Sequence, residues 1–317
     1  MALDLVRKTA AVHVDMRAEL LAGLQAANKY INPKFFYDEQ GSVLFGRICE
    51  LPEYYLTRTE IGIFQRRADE IANAVGADCL LLEPGAGACE KVRHLLPALN
   101  PGVYLPLDIS GDFLLASVAQ LRTEFPGQQV QPVIADFTGD FELPSVDAMG
   151  RKVLFYPGST IGNFTPEQAQ TFLSRIAGRV GSGGGLLIGV DLHKSSAILN
   201  AAYNDSAGVT AEFNLNILAH CNQLLSANFD LQQFEHLAFY NEQQRRIEMH
   251  LVSRQEQHVS GADFDIEFQS GERLLTEYSY KYSPEDFTAL AAAAGFSQRC
   301  FWQDDEDLFG VFYFEAE

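Results

Sequence analysis

The stretch Leu80-Leu81-Leu82-Glu83-Pro84-Gly85-Ala86-Gly87-Ala88-Cys89-Glu90-Lys91 constrains this chain more than any other. An apolar run ends in an acid, and a glycine pair follows at once. Such a run reads as a strand of a parallel sheet, buried on both faces. The glycines let the main chain turn tightly and approach a nucleotide-like ligand closely. A dinucleotide fingerprint needs a third glycine at the position of Glu90, where the start of the following helix carries a pyrophosphate. An acid stands there instead, and Glu83 precedes the turn. Negative charge disfavours a pyrophosphate and favours a cationic ligand. S-adenosylmethionine (SAM) carries an ammonium and a sulfonium and no phosphate, so the loop is read as a SAM loop. The same features disfavour a nicotinamide dehydrogenase.

The pattern around this loop predicts an α/β domain. Strands are expected at residues 79–83, 104–108, 131–135, 153–156 and 185–191, with helices between them. The helix after Thr165-Pro166-Glu167-Gln168 has a Thr cap, Pro at its first position and Gln in the capping-box position. This alternation predicts a doubly wound, Rossmann-like parallel sheet with ligands at the carboxyl ends of its strands. Helices are expected at 15–30 and 59–74, joined through an aromatic-rich loop that holds Phe35, Phe36, Tyr37, Tyr54 and Tyr55. Beyond Asp191, one or two helices are expected over 195–226 and a β-meander over 234–259 and 264–282. A helix capped by Ser283 and strands near 299–302 and 309–314 then return to the sheet. The expected division is 61–195 plus 283–317 as the SAM-binding domain. Residues 1–60 plus 196–282 would form a second, α+β substrate domain.

Composition narrows the partners. A formal net charge of −19 argues against nucleic acid and anionic membranes. The five cysteines include no CxxC pair and read as reduced thiols of a cytoplasmic protein. The seven histidines form no HxxxH or HExxH pattern, so no metal is expected. No signal-peptide core and no membrane-length apolar run is found.

Candidate ligand residues follow from strand ends. Asp108 ends the second strand, where an acid binds ribose hydroxyls; the competing reading is a helix cap beside Ser110. Asp136 and Phe137 end the third strand, placed to meet an adenine amino group and ring, or to form an ordinary turn. Lys91, in the first turn of the expected helix, can reach the methionine carboxylate or sit on the surface. Gly158-Ser159-Thr160-Ile161-Gly162-Asn163 follows the fourth strand; its small residues admit a substrate and Asn163 can donate and accept. Glu277 and Ser279 lie two apart on an expected strand, so they share a face. A carboxylate beside a hydroxyl can bind an imidazole; an exposed strand face with Lys281 beyond it is the alternative.

Taken together, these motifs resemble the ergothioneine-pathway histidine Nα-methyltransferases, the EgtD family. The resemblance rests on Phe36-Tyr37-Asp38, Leu51-Pro52-Glu53-Tyr54-Tyr55, the glycine loop, Gly158 to Asn163, Ala202-Tyr203-Asn204-Asp205, Ile247-Glu248-Met249 and Thr276-Glu277-Tyr278-Ser279. It covers nearly the whole chain, in order. It implies a class I methyltransferase domain with a separate substrate domain, and trimethylation of the α-amine of free L-histidine to hercynine. It implies that Tyr54, Asn163 and Tyr203 hold the substrate carboxylate and amine, with Tyr37 beside the amine and Gly158 also a substrate-binding residue. Met249, Glu277 and Ser279 would surround the imidazole, and Gly85, Gly87, Lys91, Asp108, Asp136 and Phe137 would contact SAM. Tyr37 and Asn163 are the residues assigned to the reacting amine. Pro84 and Ala86 depart from the family's leucine and serine, and the segment from Met249 to Glu277 is slightly shorter. The expected protein is a cytoplasmic monomer with SAM as its methyl donor and a small amino acid as its partner. The rival readings are a sister enzyme for another amino acid or indole amine, and a non-catalytic SAM-binding regulator.

Overall fold

The apolar run at Leu80 forms the middle strand of the larger of two compact units. A computed structural model describes residues 16–135 and 150–317. In chain order the strands are β1 (Leu80–Pro84), β2 (Val103–Asp108), β3 (Val133–Ile134), β4 (Lys152–Tyr156), β5 (Gly185–Asp191), β6 (Phe234–Asn241), β7 (Arg246–Ser253), β8 (Gln257–Ser260), β9 (Asp265–Phe268), β10 (Arg273–Tyr280), β11 (Phe296–Gln303) and β12 (Phe309–Ala316). One unit joins Leu56–His193 to Tyr282–Glu317, and the other joins the segment ending at Tyr55 to Lys194–Lys281. The expected boundaries lay a few residues away, at 60/61, 195/196 and 282/283.

The first unit holds a seven-stranded sheet in the order β11-β12-β5-β4-β1-β2-β3. β1 runs parallel to both β2 and β4, and β12 runs antiparallel to β5 and β11. Every residue of β1 and β5 is buried, as strands with layers on both faces require. The chain winds one way from β1 through β2 to β3 and the other way through β4 and β5. Their carboxyl ends beside β1 are therefore a topological switch point, where open α/β sheets bind ligands. β3 is shorter than the expected 131–135, while β11 and β12 extend beyond the expected ranges.

In the second unit β6, β7 and β10 form an antiparallel sheet in the order β10-β7-β6, and β8 pairs only with β9. The expected continuous meander is thus corrected: a separate hairpin interrupts it, and β7 pairs directly with β10. Helices Ser196–Tyr203 and Val209–Leu225 pack on this sheet. The aromatic-rich loop also needs correction, because Glu39–Glu50 is a helix. Its Gly41 and Gly46 depress helix propensity, which hides it from sequence pattern. Tertiary packing overrides that cost: Leu44 and Ile48 bury one face, and Asp38 caps the start by accepting from Gly41 N at 2.7 Å. A Cβ on Gly41 would lie 1.7 Å from Phe36 O, so the entry turn leaves no room for a side chain. The first helix is also shorter than expected, Met16–Leu24.

All five cysteines are free. Among the described residues no helix is long and apolar enough to cross a membrane. The capping box at Thr165 is complete: Thr165 Oγ1 accepts from Gln168 N, and Gln168 Oε1 accepts from Thr165 N at 2.9 Å. Thr165→Ala removes half of it and should cost about 1 kcal/mol. Thermal melts should show Tm falling by roughly 2–4 °C, and Thr165→Ser should restore most of the loss.

Candidate active site

At the carboxyl end of β1 the chain turns through Gly85 (φ +69°) and Gly87 (φ +50°), a conformation that costs glycine nothing. Gly85 N and Ala86 N both donate to Leu107 O, at 2.8 and 3.0 Å, which pins the loop to the end of β2. Gly87 N donates to Asp108 Oδ2 and Ser110 N to Asp108 Oδ1, each at 2.9 Å. Each Asp108 oxygen keeps a lone pair, and the side chain is half-buried. That donor-poor, acceptor-rich end suits a ribose diol. Asp108 therefore organises the loop and also anchors the start of the helix Gly111–Glu124, whose N-cap Ser110 makes no side-chain cap bond. Asp136 and Phe137 lie outside the described residues.

Two readings of this loop change. Glu83 is buried and accepts a hydrogen bond from Tyr104 OH. Burial pushes its carboxyl up to about 8, so near neutral pH it is largely protonated and offers a ligand little charge. Glu90 is exposed and pairs with Arg93 at 2.8 Å. The expected α-helix after the glycines is reduced to a 3-10 turn followed by the single α-turn Leu96–Leu99. The chain passes through Cys89 at φ +53° into a single 3-10 turn, Val92–His94, with Lys91 just before it. No long helix dipole faces the loop, so the case against a pyrophosphate rests on geometry rather than on Glu83.

Lys91 makes a contact the sequence did not indicate. Its Nζ lies 2.8 Å from Glu60 Oε2. Glu60 is fully buried, and its two oxygens also accept from Gly158 N at 2.9 and 3.0 Å. An acid in phase with Ile63 and Phe64 on the buried face of helix Tyr55–Val75 was the available signal. Gly158 (φ +84°) and Ser159 (φ +56°) turn the chain after β4, and Ser159 Oγ accepts from Asp191 N at 2.9 Å. Asn163 ends the 3-10 turn Thr160–Asn163, half-buried.

The second unit gathers the other candidates. The pairing of β10 with β7 slips between Leu275 and Glu277, a bulge at Thr276. Thr276 Oγ1 bonds Asn214 Oδ1 at 2.7 Å, and Asn214 Nδ2 in turn donates to His250 O at 2.9 Å. Past the bulge, Glu277 stands opposite Met249 and Ser279 opposite Ile247. Ser279 is buried and accepts from Tyr203 OH at 2.9 Å. His236 bridges Asn214 and the Tyr203 carbonyl, and burial lowers its pKa, keeping the ring neutral.

Glu277 stands apart from these satisfied groups. Among the described residues its carboxylate accepts no hydrogen bond and forms no ion pair. Burial pushes it up to about 7, with the Lys281 charge holding it down. A partly desolvated acceptor without a protein donor is a mark of a ligand site. Nearby in the fold runs a chain of rings, Tyr37, Phe45, Tyr54 and Tyr203, with successive centroids 5.6, 6.3 and 6.3 Å apart. Burial raises the Tyr54 phenol well above its ordinary range, so it stays a donor. Phe45 lies on the unforeseen helix Glu39–Glu50 and was missed for that reason.

A sheet of this order, with a glycine loop ending β1 and a ribose-suited acid ending β2, defines a class I SAM-dependent methyltransferase. Within that class the chain belongs to the family described as "Histidine-specific methyltransferase, SAM-dependent", whose model matches residues 16–316. It is 44% identical over 302 residues to histidine N-alpha-methyltransferase of Mycolicibacterium smegmatis, covering 93% of each chain. It is 40% identical over 305 residues to the protein of that name from Mycobacterium tuberculosis, covering 94% of each. A more distant relative is 4-dimethylallyltryptophan N-methyltransferase of Claviceps purpurea, at 27% identity over 319 residues, 90% of this chain and 91% of that one.

Glu277 also links pH to stability. Its folded pKa of about 7 exceeds its ordinary value of 4.5, so the folded state binds the extra proton. The contribution is full below the unfolded value and is lost as pH rises through about 7. Glu277→Gln, which mimics the protonated form, should melt with wild type at pH ~5 and above it at pH ~8. The gap should be on the order of 1 kcal/mol, after allowance for the group's partial exposure.

Proposed function

We propose that this protein transfers methyl groups from SAM to the α-amine of free L-histidine, three in all, to give hercynine. The observation that carries the substrate is the partnerless Glu277 carboxylate beside Ser279, in a chain of the histidine-specific family. An imidazole supplies the N–H that Glu277 lacks. An indole offers one N–H and no second nitrogen, so a substrate like that named for the Claviceps relative matches the Glu277–Ser279 pair less well.

Bound SAM supplies a methyl activated on a sulfonium. Displacement by an amine is direct: the nitrogen lone pair forms the N–C bond as the C–S bond breaks. The protein's contribution is alignment, which is worth several kcal/mol of barrier when reacting atoms are held ~3 Å apart. Gly85, Gly87, Lys91 and Asp108 would hold the cofactor, and the family resemblance assigns Asp136 and Phe137 to it as well. The family resemblance assigns Tyr54 and Tyr203 to the substrate carboxylate, Met249 to the ring pocket and Gly158 to substrate binding. Tyr37 and Asn163 orient the amine. That amine must be neutral, since an α-ammonium, titrating near ~8, has no lone pair; its proton leaves to water. Tyrosine faces tolerate the growing cationic product. The protein acts as a cytoplasmic monomer.

Mass spectrometry of purified protein with SAM and a panel of free amino acids tests this reading. Histidine should gain up to three methyl groups while tryptophan stays unchanged. Methylation of a different amine would overturn the substrate, and SAM binding without turnover would favour the regulator. Tyr54→Phe, which loses a charge-assisted hydrogen bond to the carboxylate, should raise KM for histidine by about tenfold or more, and Asn163→Ala, which loses a neutral bond to the amine, by several-fold. The Kd for SAM should change little, and an equal loss of both affinities would refute these roles.

A further inference from the structure

Lys281 is buried just past β10, and no role in the site has been given to it. Its Nζ donates to Ser279 Oγ at 2.8 Å and to Tyr203 OH at 3.3 Å, and it lies 5.1 Å from the Tyr203 ring centroid. An ammonium has donors and no acceptor, whereas a hydroxyl has one hydrogen and two lone pairs. Both hydroxyl oxygens are therefore acceptors toward Lys281. The more acidic phenol is the better donor of the two, and Tyr203 OH donates to Ser279 Oγ at 2.9 Å. Ser279 thus accepts from both neighbours, and its lone pairs are filled.

One consequence follows from this orientation of the two hydroxyls. The Ser279 hydrogen has no acceptor among the described residues, although the side chain is buried. Two positions along the same strand face, Glu277 is an acceptor with no donor. A lone donor beside a lone acceptor is the complement of a ring bearing one N–H and one bare nitrogen. We propose that Lys281 is a positioning residue that fixes Ser279 as a hydrogen-bond donor, so that the Glu277–Ser279 pair selects the neutral imidazole. A ring with two N–H groups, or with none, leaves a member of the pair unsatisfied. When the substrate carboxylate draws the Tyr203 hydrogen, Lys281 still occupies one lone pair of the Ser279 oxygen and donates to the Tyr203 oxygen that would otherwise compete for the serine hydrogen. This rests on the histidine reading of the same site.

Two analogues isolate the point: 3-(pyrrol-2-yl)alanine and 3-(pyrrol-3-yl)alanine. One of the two keeps its ring N–H for Glu277 and places C–H where Ser279 donates; the other turns its N–H toward the Ser279 hydrogen and serves as the mismatched control. With wild type, both should show kcat/KM at least about tenfold below histidine, the cost of a buried donor left unpaired. In Lys281→Met, Ser279 is free to turn its hydrogen to Tyr203. The ratio of histidine to the matched pyrrole should then fall by about tenfold, with SAM affinity retained. A loss of packing alone would lower all three substrates together and leave the ratio unchanged, and that result would overturn the proposal. Ser279→Ala gives an independent check, since it should abolish the discrimination; persistence of the ratio there also overturns it. Wild type that uses a pyrrole as well as histidine overturns it without any variant. No turnover of histidine by wild type would instead overturn the reading of the site on which the inference rests.

Discussion

The buried Glu60 carboxylate is the constraint on which the cofactor-binding unit is organised. It has no exposure to water, and its oxygens are bound by the Gly158 N–H and the Lys91 ammonium. A charge in that position is tolerable only when fully paired, because an unpaired buried ion costs several kcal/mol. Helix Tyr55–Val75, the turn after β1 and the turn after β4 are therefore tied to one point. The neighbouring glycines follow from it. A Cβ on Gly189 would fall 1.9 Å from Glu60 Oε1, and one on Gly158 would fall 2.7 Å from Lys91 Nζ. The small residues along this edge make room for the acid as well as for any ligand.

The other unit contains the opposite case. Glu277 is partly withdrawn from water and has no donor among the described residues, and burial raises its pKa accordingly. The difference between Glu60 and Glu277 separates structure from recognition. A satisfied buried carboxylate fixes a fold, whereas an unsatisfied one stores a free-energy cost that a ligand can relieve. The bulge at Thr276 is what places Glu277 opposite Met249 rather than one step out of phase. Thr276 is locked by Asn214, which also holds His236 and the β7 backbone. The aim of the carboxylate thus depends on a polar network whose members are all satisfied.

Much of the architecture was legible in the sequence because it rests on local signals. The apolar runs of β1 and β5, the Thr165 capping box and the Ser283 cap each declare themselves within a few residues. Helix Glu39–Glu50 did not, since its glycines contradict its propensity and only packing stabilises it. Phe45 was lost with it. Glu60 was overlooked, and Lys281 was considered only as part of an exposed strand face, for a related reason: their partners lie far off in sequence. Glu83 was visible but misread, because the charge of a carboxyl is not a property of the residue alone.

The sequence by itself determined the class of fold, the glycine turn at the end of β1 and the candidate pair Glu277–Ser279. The fold and the turn depend on apolar spacing and local glycines; strand alternation puts the pair on one face, and the family resemblance gave it its imidazole role. The tertiary structure alone decided which of the acids are charged, paired or left open. Burial pushed Glu83 toward its neutral form, Glu60 gained two donors, the Gly158 N–H and Lys91, and Ser279 became an acceptor for both Tyr203 and Lys281. Protonation and hydrogen-bond polarity are fixed by desolvation and by neighbours distant in the chain, and both arise only when the chain is folded.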